Sequence, residues 1–209
     1  KIVVQNSSFE SASLKITNAY LFDIDHTTFT QCSNGALIIS NDVDRAFVSL
    51  CNFTDCSSKS NGGAISSSAT INFTVSASSF SNCQAADKGS CLYVITGKYS
   101  LIVDCEFVHS GGNNPSSIFL NDQNANSTTV FITDCFTSIG ETTNVKHIYS
   151  EAVGIIYFDF PCFDSARENS VYFEHGQEPY QGYDCFNCKD CHMPRPTKMP
   201  SRSPFTSEP

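Results

Sequence analysis

The chain has 209 residues, 40% hydrophobic and 16% charged, enough to bury a sizeable core and unlike a disordered segment. A formal net charge of −9 with a sequence pI near 4.8, and no basic stripe, argues against nucleic acid as a partner. No apolar run is long enough to span a bilayer, and the chain opens on Lys1-Ile-Val-Val4 without a signal peptide, so membrane attachment is expected only through a C-terminal anchor beyond this sequence.

From Phe9 onward a repeat of about two dozen residues governs the chain. Phe29-Thr-Gln-Cys32, Phe53-Thr-Asp-Cys56 and Phe80-Ser-Asn-Cys83 each place a cysteine three residues after a phenylalanine. Phe9, Phe107 and Phe136 continue the series in degenerate copies, at intervals of 20, 24, 27, 27 and 29 residues. Such a period belongs to a solenoid, in which one coil cannot bury its apolar face alone.

Two further ladders keep step. Ile24, Val48, Val75 and Ile102 each fall five residues before a phenylalanine. Leu37, Ile65, Leu92 and Phe119, spaced 28, 27 and 27 residues, follow Asn34-Gly35, Asn61-Gly62-Gly63 and Lys88-Gly89. Three short apolar stretches per copy, without helical periodicity, predict an all-β protein: a right-handed parallel β-helix of about six or seven coils over residues 1–162. Equivalent positions then stack roughly 4.8 Å apart, so each ladder becomes an internal column. The Asn-Gly and Gly-Gly pairs are expected at corners that need positive φ. No cap precedes the first coil, so the chain reads as mature or excised from a longer protein. A true terminus at Lys1 would leave an open strand edge for head-to-tail self-association.

Eleven cysteines and four sequons, at Asn6, Asn52, Asn72 and Asn126, point to a eukaryotic secretory route and an extracellular protein. Cys32, Cys56 and Cys83 should stack within disulfide range, although three in a column cannot all pair. Cys105, Cys135 and Cys162 are further candidates for bridges. Cys51 and Cys105 fall two coils apart and should not bond to each other.

The clearest candidate for catalysis is Asp23-Ile24-Asp25-His26, where the two carboxylates share the outer face. A polysaccharide-cleaving β-helix needs two or three carboxylates close together, yet the positions one coil away are Phe47 and Ser49. His109, His147 and His175 have no nucleophile or carboxylate at a legible spacing, so no catalytic set is read.

Composition changes after Cys162. Residues 163–193 read as a small Cys-rich cap holding Cys185, Cys188, Cys191 and His192, and 194–209 as a Pro/Ser/Thr stalk with five prolines in sixteen residues. Cys188-Lys-Asp-Cys191-His192 matches a haem-attachment pattern, but the adjoining proline tract cannot enclose a haem. Zinc held by three cysteines and His192 fits by ligand count. Disulfides tying the cap to the last coil, with no cofactor, are expected instead.

Phe-x-x-Cys with Gly-Gly-Ala-Ile, best seen at Phe53–Cys56 and Gly62–Ile65, resembles the repeats of polymorphic outer-membrane proteins. The cysteine variant, followed by a Cys cluster and a Pro/Ser/Thr tract, is similar to surface proteins of trichomonad protozoa. The resemblance covers roughly residues 5–140. It implies a right-handed β-helix ectodomain on a cell surface with a role in adhesion, and it carries over no catalytic residues. The expected function is a non-enzymatic surface module, an adhesin or an element of a coat or filament, with other surface proteins or glycans as partners. The alternative is a carbohydrate-active β-helix enzyme.

Overall fold

A computed structural model describes residues 1–69, 71–95, 97–109, 116–121, 124–138, 146–159, 161–164, 170–174 and 180–181. These residues form a parallel β-helix. Three parallel sheets hold eight, seven and seven strands. Sheet I begins with Ile2–Gln5, Ala19–Asp25 and Val43–Ser49, sheet II with Ser8–Glu10, Thr28–Thr30 and Asn52–Thr54, and sheet III with Leu14–Ile16, Leu37–Ile39 and Ile65–Ser67. Each complete coil contributes one strand to each sheet.

Sheet II carries the phenylalanine column. Phe9, Phe29, Phe53, Phe80, Phe107, Phe136 and Phe163 are paired in register through successive coils. From Phe29 to Phe107 the rings are buried and stacked at centroid distances of 4.8–4.9 Å, the separation of neighbouring parallel strands. Ile24, Val48, Val75 and Ile102 form the expected column in sheet I, which continues through Phe131 and Phe158.

The third ladder departs from its sequence reading. Leu37, Ile65 and Leu92 stack as expected, but the next rungs are Ile118 and Ile148. Phe119 pairs with Tyr93 instead, on the opposite face of sheet III. The step from Leu92 to Ile118 is one residue short of the 27-residue period, and a one-residue slip turns a strand's side chains to the other face.

The corners also differ. Gly35, Gly62 and Gly89 do adopt positive φ, of 79°, 64° and 67°. The described corners flanking the phenylalanine strands, however, are built by residues other than glycine. Asn6, His26, Leu50, Ala77, Asp104 and Thr133, each three residues before its phenylalanine, have φ between 45° and 53°. Gln31, Asp55 and Asn82, two residues after it, have φ of 51–55°. Left-handed backbone costs an ordinary side chain about 1–2 kcal/mol, while asparagine adopts it routinely. Leu50 is half exposed, so little packing opposes its replacement. Leu50→Asn is therefore expected to stabilise the protein by about 1 kcal/mol, measured as a higher urea midpoint at unchanged m-value. An unchanged midpoint would show that this corner carries no strain.

The solenoid extends past the boundary expected at Cys162. Val171–Phe173 joins sheet III and Tyr180–Gln181 joins sheet I, both in parallel pairing. Residues 182–209, with the cysteine cluster and the proline-rich tract, lie outside the described residues.

Candidate functional site

The corners explain where the sulfur atoms go. A left-handed residue turns the chain inward, so the next side chain points into the core beside the carbonyl two residues back. At the corner before the phenylalanine, Thr27 donates to the Asp25 carbonyl at 3.0 Å and Ser78 to that of Ser76 at 2.8 Å. Cys51 and Cys105 make the same bond to Ser49 and Val103, at 3.1 and 3.3 Å. At the corner after it, Cys32, Cys56 and Cys83 donate to Thr30, Thr54 and Ser81 at 3.7, 3.4 and 3.4 Å. Cysteine suits these places because its thiol is small and mostly apolar yet still donates weakly.

Cys32, Cys56, Cys83 and Cys105 are buried thiols in this structure. Burial first, and the neighbouring Cys56 after it, push the Cys32 thiol up to about 11. For Cys105 the disulfide expectation fails on geometry. Its column neighbours are Ser78 and Asp134, so the adjacent coils offer no sulfur at that place. Cys135 is disulfide-bonded. Cys162 pairs in register with Cys135 on sheet II and is partly buried. Cys185, Cys188 and Cys191 lie outside the described residues, as does the haem or zinc pattern that ends at His192. Among the described residues no group of three His, Cys, Asp or Glu could hold a metal ion.

The acidic candidate resolves into a local cluster. Asp23 pairs with Phe47 and Asp25 with Ser49, as the sequence places them. Asp25 accepts from Ser49 Oγ at 2.8 Å and lies 2.7 Å from His26 Nδ1. The His26 contact, followed by the Ser49 bond, holds the Asp25 carboxyl below its ordinary value. An acid held ionised in this way is a poor proton donor to a leaving group. His147 is buried beside the Phe136 and Phe163 rings, with Nε2 2.9 Å from Asp164 Oδ1. His109 lies on the sheet II strand Glu106–His109, and His175 is outside the described residues.

On the outside of sheet II, short polar side chains bond from coil to coil. Ser79 Oγ donates to Asn52 Oδ1 at 2.7 Å and Ser81 Oγ to Thr54 Oγ1 at 3.3 Å. Asn82 bonds Asp55, and Thr133 bonds Asp104. The sequons Asn6, Asn52 and Asn126 are exposed and Asn72 is half-buried on an outer strand position.

A feature missed in the sequence is the second aromatic column, outside sheet III. Tyr93, Phe119 and Tyr149 stack at 5.8 and 5.0 Å, and Tyr172 follows, tilted, at 4.7 Å. Lys88 Nζ sits 4.4 Å from the Phe119 ring centre and 2.7 Å from Glu151. Spacing could have revealed it, since Tyr93, Phe119 and Tyr149 each follow an inward aliphatic residue.

Compared with protein-family models, curated proteins and solved structures, the chain has no match in any of the three.

Proposed function

We propose that this chain is a non-enzymatic extracellular surface module, with an adhesive or structural role in a cell coat or filament. The observation that carries the reading is the knitted polar exterior of sheet II. Its hydroxyl, amide and carboxylate groups are joined across coils, as in the Asn52–Ser79 and Thr54–Ser81 bonds. Such a surface suits contact and glycan display, because its polar groups brace one another rather than converging on a reacting atom. The Asp23/Asp25 pair agrees, since Asp25 is engaged by a serine and a histidine and the next coil sets Phe47 and Ser49, not further carboxylates, against the two acids. Partners of this class are other surface proteins or glycans.

The test is secretion of the chain from eukaryotic cells, followed by glycopeptide mapping and binding to cells and to a glycan array. Occupied sequons at Asn6, Asn52 and Asn126 and saturable binding without substrate turnover are expected. Unmodified sequons together with release of reducing sugar from a polysaccharide would replace this reading with the carbohydrate-active one.

A further inference from the structure

Four cysteines form one connected chain of thiols inside the solenoid. Cys32, Cys56 and Cys83 follow one another through three successive coils, with the Cys56 and Cys83 thiols reaching back to the Phe29 and Phe53 carbonyls of the preceding coil at 3.6 and 3.7 Å, and Cys91 neighbours Cys83 within its own coil. All four are at most 1% exposed. Cys91 occupies the inward place that Ala36 and Ala64 hold in the two preceding coils, as the backbone bonds Leu37 to Ala64 and Ile65 to Cys91 show. It is this substitution that gives the column an even number of thiols. For Cys32 and Cys56, one coil apart, the 4.9 Å between the stacked phenylalanine rings beside them reports a coil spacing inside the ~4.4–6.8 Å Cα separation that a disulfide spans.

We propose that this column is an oxidative modification site in which Cys32 bonds to Cys56 and Cys83 bonds to Cys91. A linear chain of four thiols has one complete pairing. Joining Cys56 to Cys83 would strand Cys32 and Cys91 two coils apart, each without a partner in reach. The proposal rests on the extracellular reading for its oxidant, a small-molecule or protein disulfide. In each bridge two thiols lose two protons and two electrons to that oxidant by thiol–disulfide exchange, leaving it as two thiols. Exchange needs a thiolate and access to it. Burial in the closed coils removes both, which places the reaction during folding, before the coils close.

Oxidative refolding of the full chain in a reduced/oxidised glutathione buffer tests the pairing whether or not the protein is secreted. Remaining thiols are then alkylated under denaturing, non-reducing conditions, and the peptides are mapped. Linked peptides Cys32–Cys56 and Cys83–Cys91 are expected, with Cys51 and Cys105 alkylated. Cys91→Ala, which installs the residue of the preceding coils, should leave Cys32–Cys56 intact and make Cys83 alkylatable. A Cys56–Cys83 link in the parent chain, or four alkylated column cysteines, overturns the proposal. So does a Cys83 that stays bridged in Cys91→Ala. Absence of glycans or of surface binding in the secretion experiment would count against the extracellular role alone.

Discussion

Phe53→Ala is expected to lower the unfolding free energy by ~3–5 kcal/mol, the cost of removing a large aromatic side chain from a closed core. Phe53 is fully buried at the middle of its column, with Phe29 and Phe80 stacked on its two faces at 4.9 Å. Those neighbours cannot close the gap, because each is fixed to its own coil by the backbone ladder that sets the strand spacing. The cavity therefore stays open, and both flanking rings lose dispersion contacts on one face. Urea denaturation should report the loss as a lower midpoint. Phe9→Ala, at the half-buried start of the column, should cost less. Equal losses at the two positions, or a loss below ~1 kcal/mol at Phe53, would show that the column does not act as a packed unit.

The coil, its three faces and two of its three internal columns were legible in the sequence because stacking forces like residues into register. A phenylalanine every 24–29 residues through the central coils follows directly from turns of nearly constant length closing on one column. The third column failed at Phe119 because a shortened step changes the face of a strand without changing its apolar character. The glycine corners at Gly35, Gly62 and Gly89 were legible, and the remaining corners went unseen for a different reason. Glycine advertises positive φ, whereas His26, Leu50 and Thr133 adopt it only because coils above and below hold the backbone there. The column Thr27, Cys51, Ser78, Cys105 and Asp134 looked unrelated residue by residue. Its common property is a small polar group reaching the backbone at a corner, which identity matching does not reveal. The candidate acids were placed correctly, since Asp23 and Asp25 do oppose Phe47 and Ser49. The Asp25–His26 contact depends on the left-handed φ of His26 and so was invisible beforehand.

Asp134 is the member of that corner column with the largest expected effect on pH dependence. It is completely buried, and its Oδ1 and Oδ2 accept from the backbone N–H groups of Cys105 and Ile132 at 2.9 and 3.1 Å. Burial still dominates and holds its carboxyl well above the ordinary value, with Asp104 adding to the rise against the two backbone bonds. The unfolded chain ionises this group near pH ~3.9, while the folded protein retains the proton to higher pH. The associated stability is therefore fully present below the unfolded pKa and is lost as pH rises through the folded one. Asp25, whose carboxyl is held down, acts in the opposite sense and loses its contribution as pH falls. Serine fills the same column at Ser78, where it both donates to Ser76 and accepts from the Cys51 N–H. Asp134→Ser should therefore preserve the corner, remove the buried acid, and stabilise the protein at neutral pH by about 1–3 kcal/mol. The gain should shrink as pH falls and level off below about pH 4, once the aspartate is protonated in both states. Denaturant midpoints across that range would check it, with the variant following the flatter curve above the unfolded pKa. A variant that is less stable at neutral pH, with the parent's pH slope intact, would mean that the two backbone bonds outweigh the burial of the carboxylate.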